Sequence, residues 1–228
     1  MKIIRSQTSA EKAGNKLDEL LSQYTAHPIL LMLSGGSGFS ILEKVSDDVL
    51  GSNVTMCVLD ERCSVDAAIN NFLQLKQTDF FKRAEVQKVN VIATDIQSTD
   101  ACSDVAVRWQ SELRDWKNNN PNGVVIATMG IGEDGHTAGI LPGENGIDFD
   151  SDEWIVSYSV PPEINQYTDR ITATNTFLIN QVDEAVVFAV GKNKYSVIKA
   201  LDENHCDVHL LPLCVLSKMK SVRLYTDL

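Results

Sequence analysis

Long apolar runs are missing from this sequence. None approaches the ~20 residues needed to span a bilayer, and the N-terminus MKIIRSQTSAEKAGNKL turns polar too soon to hold a signal peptide's apolar core. A basic excess is missing too: 20 Lys and Arg stand against 31 Asp and Glu, a formal net charge of −11. Nucleic acid and anionic membranes both require a basic face, so neither is an expected partner. A small anionic ligand is still allowed, provided local donors hold it. The five cysteines (Cys57, Cys63, Cys102, Cys206, Cys214) are odd in number, scattered and free of any C-x-x-C pair. They read as reduced thiols of a cytoplasmic protein rather than as a disulfide framework. Fixed-period repeats and low-complexity tracts are also absent, and no obligate protein partner is indicated.

What is present is ordinary for a globular chain: 228 residues, 43% hydrophobic and 22% charged. One domain over residues 1–228 is expected, burying roughly 70% of the surface its unfolded form exposes. Short β-rich apolar runs alternate with helical patterns. KIIR opens as a strand. TSAEKAGNKLDELLSQY reads as a helix with a capping box, Thr8 with Glu11, and Leu17, Leu20, Leu21 and Tyr24 on one face. ILLML, VTMCVL, VNVIAT, GVVIATMG, WIVSYS, RITAT, AVVFAVG and SVRLYT are further strands. SDVAVRWQSELRDWKNN and KNKYSVIKALDE are helices, the first with Val105, Trp109, Leu113 and Trp116 on one stripe, most simply a core stripe. WKNNNPNG is a surface turn. The fold class that follows is α/β, a mostly parallel, Rossmann-like sheet with helices on both faces. Ligands of such sheets bind beyond the carboxyl ends of the strands. Residues 34–38, 60–62, 130–137 and 191–194 each place polar or glycine-rich sequence just after a strand, which predicts that they share one edge.

Three of these segments offer chemistry. LSGGSGFSIL follows a strand and leads into an apolar helical pattern, so its glycines let backbone N–H groups approach an anion. It is neither a Walker A motif nor G-x-G-x-x-G. VLDERCSVDAAINNF sets Asp60, Glu61 and Arg62 at a strand end. They form either a solvated charge cluster or local ion pair, or a site in which the Arg62 fork takes a phosphate or carboxylate and Asp60 orients a catalytic group. TMGIGEDGHTAGILPG holds His136 between Gly135 and Thr137. A core histidine has no need of so uncrowded a backbone, whereas a general base does. HCDVH, from His205 to His209, lacks a third ligand at metal-binding spacing and reads as polar surface. Arg170 and Lys194 would pass as surface charge if taken alone.

Taken together, SGGS (Ser34, Gly35, Gly36, Ser37), DER at Asp60–Arg62 with Asn70 or Asn71 downstream, MGIGEDGHTAGILPG at Met129–Gly143, RIT at Arg170–Thr172 and G-x-x-K at Gly191–Lys194 resemble the 6-phosphogluconolactonase family, within the larger glucosamine-6-phosphate isomerase/lactonase group. The motifs come in family order and span most of the chain. The resemblance implies hydrolysis of 6-phospho-D-glucono-1,5-lactone to 6-phosphogluconate in the oxidative pentose phosphate pathway, with no metal or organic cofactor. It implies His136 as general base and Asp60 as the group that orients it. It implies Ser34, Gly35, Gly36, Ser37, Arg62, Gly132, Asp134, Gly135, Arg170 and Lys194 around the phosphate and sugar hydroxyls.

The chain departs from the family pattern in two places. SGGSGF stands where SGGSTP is usual, so Gly38 and Phe39 replace threonine and proline. GILPG stands where SLFPG is usual, with Gly139 for the serine. Two other readings belong beside the lactonase. A glucosamine-6-phosphate isomerase/deaminase tends to carry FNEP after its glycine–histidine segment, and this chain has GILPG there. A non-catalytic sugar-phosphate sensor would carry a basic helix-turn-helix, for which the sequence has neither room nor charge.

Overall fold

The computed structural model describes residues 1–143, 148–203 and 207–228. The chain opens with β1 (Lys2–Arg5), α1 (Ser9–Gln23), β2 (Ile29–Leu33) and β3 (Val54–Val58). It continues through β4 (Asp60–Arg62), α2 (Asn71–Lys76), α3 (Asp79–Val86), β5 (Asn90–Val91), α4 (Cys102–Asn119) and β6 (Val124–Gly130). Then follow β7 (Ile155–Ser159), β8 (Asp169–Ala173), α5 (Asn175–Asn180), β9 (Glu184–Phe188), α6 (Tyr195–Asp202) and β10 (Val222–Thr226).

Seven strands form one parallel sheet in the order β1-β10-β9-β6-β2-β3-β5. β2 lies beside the central strand β6, with Ile29–Met32 in register with Val124–Ala127 of β6 on one side and Val54–Cys57 of β3 on the other. Every residue of β2 and β3 is buried. Such strands read as continuous apolar runs because both of their faces are covered. From β2 the chain runs outward to β3 and β5, then returns to β6 on the opposite flank and proceeds to β9 and β10. That reversal makes β2/β6 the switch point of the sheet. Crossovers between parallel strands are right-handed as a rule, so those that leave a switch point in opposite directions place their helices on opposite faces.

α1 buries Leu17, Leu20 and Leu21 as its periodicity predicts, each worth about 1.5–3 kcal/mol of apolar burial. The expected capping box does not form. Thr8 makes no side-chain cap bond; Ser6 Oγ instead accepts from the Thr8 backbone N–H at 3.2 Å. Val105, Trp109, Leu113 and Trp116 line the buried face of α4, which runs on into the stretch expected as a turn.

Four other features differ from the sequence expectation. WIVSYS and RITAT leave the main sheet: β7 and β8 pair antiparallel with each other, and β8 pairs with β4, in a separate sheet of order β4-β8-β7. DER is therefore a strand and not merely a strand end. Only Asn90–Val91 of VNVIAT pairs as a strand. Gly36–Lys44 winds as 3-10 turns instead of an α-helix, as two glycines in its first three residues favour. Finally, the reading of reduced cysteines is overturned, because Cys63 and Cys102 are disulfide-bonded across 39 residues with Cα atoms 6.0 Å apart. Spacing concealed that pair, since the end of β4 meets the start of α4 only through the fold. Cys57 is a free, buried thiol, and burial pushes its pKa up to about 12. Among the described residues no helix is long and apolar enough to cross a membrane.

Candidate active site

The turns that leave β2 and β6 lie side by side at the switch point, and the Ser34 backbone N–H donates to Thr128 Oγ1 at 3.1 Å to tie them together. Beyond them opens a cavity of about 300 Å³, at the lower end of the size range of small-molecule sites. Of the residues expected at the site, it is lined by Ser34, Gly35, Gly36, Ser37, Asp60, Arg62, Gly132, His136, Arg170 and Lys194. The loops expected to share one edge therefore do so.

Asp134 and Gly135 stand behind the wall rather than in it, and Asp134 proves to be the histidine's partner. His136 Nδ1 lies 2.6 Å from Asp134 Oδ1, which also accepts the His136 backbone N–H at 3.1 Å. An ionised carboxylate can only accept, so a neutral imidazole paired with it carries its proton on Nδ1 and leaves Nε2 as the basic nitrogen. Burial works to raise the pKa of Asp134. The hydrogen bonds and charge of His136 outweigh it and hold the carboxyl below its ordinary value. The histidine side chain is 39% exposed and accessible to solvent. No hydrogen bond joins Asp60 to His136 among the described residues, so the orienting contact expected of Asp60 belongs to Asp134. The i to i+2 spacing of Asp-Gly-His was the available signal, because a short acidic side chain readily folds back onto the backbone two residues on.

The surrounding glycines serve this pair. A Cβ at Gly132 would lie 2.1 Å from His136 Nδ1 and 2.5 Å from Asp134 Oδ1, so only a glycine lets the two side chains tuck against the strand exit. The Gly132 N–H closes the loop by donating to the His136 carbonyl at 2.8 Å, and Thr137 Oγ1 donates to the Gly130 carbonyl at 2.7 Å. Just past the histidine, Ala138 has φ +49°, uncommon for a residue with a side chain, and Gly139 has φ +72°. The Thr172 hydroxyl donates to the Ala138 carbonyl and the Tyr158 hydroxyl to the Gly139 carbonyl, which pins this turn against the second sheet. A Cβ at Gly139 would lie 2.6 Å from Asp60 Cβ, so a glycine there allows the close approach of Asp60.

Under the cavity, Glu61 is 0% exposed and serves as an internal tie. Its Oε1 accepts from the backbone N–H groups of Arg62 and Asn71, and its Oε2 from those of Phe72 and the Thr94 hydroxyl. One carboxylate thus joins β4 to the start of α2. Burial pushes its pKa up to about 7 against the pull of those backbone donors. A carboxyl raised in the folded state binds its proton more tightly there than in the unfolded chain. Its contribution to stability is fully present below the ordinary carboxylate range and is lost as pH rises to about 7. The stability gap between the wild type and Glu61→Gln should therefore narrow by on the order of 2 kcal/mol from pH 5 to pH 8. Urea melts of both proteins at the two pH values check this, and a gap that widens with pH would show that the donors outweigh burial.

Asn71 was visible in the sequence only as one of two asparagines. Its Nδ2 donates to the Asp60 carbonyl at 2.9 Å and to Asp60 Oδ2 at 3.3 Å. Lys194 follows Gly191 as expected. Burial lowers its pKa while Asp227 and Glu133 act to raise it. Arg62 and Arg170 form no ion pair among the described residues, so the local ion-pair reading of DER is not what the fold builds. Sequence reasoning missed Asn165, Gln166 and Tyr167, which join the cavity wall from the β7–β8 connection. Nothing in their local pattern announces a site. Among the described residues no group of three or more His, Cys, Asp or Glu converges as metal ligands. His205 and Cys206 of HCDVH lie outside those residues, and His209 is exposed.

A family model described as glucosamine-6-phosphate isomerases/6-phosphogluconolactonase matches residues 5–225. The chain is 27% identical over 221 residues to a 6-phosphogluconolactonase of Thermotoga maritima, covering 93% of this chain and 90% of that one. It is 29% identical over 148 residues to a 6-phosphogluconolactonase of Pseudomonas aeruginosa, covering 63% and 58%. Its fold is similar to that of the 6-phosphogluconolactonase from Trypanosoma cruzi, with a TM-score of 0.75 and 22% identity over 99% of this chain and 94% of the other.

Proposed function

Because the chain belongs to the glucosamine-6-phosphate isomerase/6-phosphogluconolactonase family, we propose that it hydrolyses 6-phospho-D-glucono-1,5-lactone to 6-phospho-D-gluconate, in the oxidative pentose phosphate pathway. The observation that carries this reading is the Asp134–His136 pair at the wall of a cavity that three cationic side chains also enter. His136 Nε2 takes a proton from a water as its oxygen attacks the lactone carbonyl. The tetrahedral intermediate opens by breaking the bond from the carbonyl carbon to the ring oxygen. That oxygen takes back the proton held on Nε2, so the imidazole ends neutral. Asp134 keeps the Nδ1–H in place and stabilises the imidazolium between the two steps. Ser34 to Ser37, Arg62, Arg170 and Lys194 hold the phosphate and hydroxyls. Local guanidinium and ammonium groups give an acidic protein an anion site.

A lactone is an activated ester that hydrolyses unaided, so one oriented base with good positioning supplies the chemistry without a covalent nucleophile. The test is hydrolysis of freshly prepared 6-phosphogluconolactone above its spontaneous rate, run beside deamination of glucosamine 6-phosphate. Fast lactone hydrolysis alone is expected. Deamination alone would move the chain to the isomerase branch of its family. Binding of 6-phosphogluconate with neither activity would make it a sensor.

A further inference from the structure

Arg62 and Arg170 are directly opposed residues of the antiparallel β4–β8 pair. Like charges so placed repel, and Arg170 is only 4% exposed. Every partner of their guanidinium groups among the described residues is uncharged. Arg170 Nε donates to the Tyr167 carbonyl at 3.2 Å, and its Nη2 donates to Asn165 Oδ1 at 3.1 Å. The Arg62 guanidinium lies 4.9 Å from the centroid of the Tyr167 ring, its Nη1 donates to the Ile69 carbonyl at 3.3 Å, and its Nε is buried with no partner. Asn165 Oδ1 also accepts the Tyr167 backbone N–H at 2.9 Å, which folds the tip of the β7–β8 hairpin into the conformation that meets both arginines.

We infer that Asn165 and Tyr167 are positioning residues that orient Arg62 and Arg170 toward one anionic substrate group. A carboxylate in either place would fix the geometry equally well but would cancel the charge. A ring face, a carbonyl and an amide oxygen fix it and leave both positive charges for the ligand. The repulsion between the opposed arginines is then relieved when the anion binds. This rests on the reading above in that the anion is taken to be the phosphate of the lactone substrate.

The test compares Tyr167→Leu, Tyr167→Phe and Asn165→Asp. Tyr167→Leu removes the ring and Asn165→Asp neutralises Arg170. Each should raise KM for the phosphorylated lactone by ~10-fold while kcat stays within ~2-fold. Tyr167→Phe, which keeps the ring face, should retain most of the affinity. Calorimetric Kd values for 6-phosphogluconate should follow the same order without reference to turnover. A wild type inactive on the lactone would sink the hydrolase reading alone if those Kd values still fell in order. Equal damage from Phe and Leu, unchanged KM and Kd in Tyr167→Leu, or a wild type that binds no 6-phosphogluconate would each overturn the positioning role.

Discussion

His136→Ala should lower kcat for lactone hydrolysis by at least ~100-fold, the usual range for losing a positioned general base. His136 alone on the cavity wall combines a basic nitrogen, access to water and a partner that fixes its tautomer. Glu61 cannot substitute, since it is buried and both of its oxygens are occupied by donors. The arginines carry no basic lone pair at working pH. Affinity for 6-phosphogluconate should survive, because the cations that take the phosphate are other residues. Hydrolysis must be corrected for the spontaneous reaction, which sets the floor the variant approaches. A variant within a few-fold of wild type would leave the reaction in place and remove His136 from it.

Asp134→Asn should cost kcat ~10- to 100-fold with little change in KM. An amide at position 134 can present its NH2 to the imidazole. That favours the tautomer with the proton on Nε2, where the base is needed, and withdraws the negative charge that stabilises the imidazolium. The carboxylate also accepts the His136 backbone N–H, so the loop loses part of its internal fastening. Asp60→Asn is the informative control. Asp60 lines the same cavity but contacts Asn71, not the histidine. Should Asp60→Asn prove the more damaging of the two, the orienting role would return to Asp60 and the Asp134 contact would be structural. Steady-state kinetics on the two variants, with melting temperatures to confirm folding, decide between these outcomes.

Much of this site was legible because its parts are local. A strand buried on both faces shows itself as an uninterrupted apolar run, as ILLML and VTMCV do. The turn that leaves such a strand toward a ligand shows itself as glycine, since only glycine allows the backbone or a neighbouring side chain so close, as at Gly132. Those two signals located Ser34–Ser37 and the His136 loop and implied that they share an edge. The hydrogen bond from His136 to Asp134 rather than to Asp60 was not legible in the sequence. Both carboxylates sit near the histidine's chemistry, and side-chain direction is set by backbone angles that residue identity leaves open.

The sequence by itself determined the central parallel sheet, the loops at its carboxyl edge and the histidine among them, because each depends on residues close along the chain. Tertiary structure alone decided the separate β4-β8-β7 sheet, the Cys63–Cys102 bond, the opposition of Arg62 to Arg170, the approach of Tyr167 to both and that of Asn165 to Arg170. Each of those joins residues tens to over a hundred positions apart, or sets the angle at which a hairpin tip reaches the cavity. Hydrophobic periodicity records which face of an element is buried; it carries no information about what that face or that tip will meet.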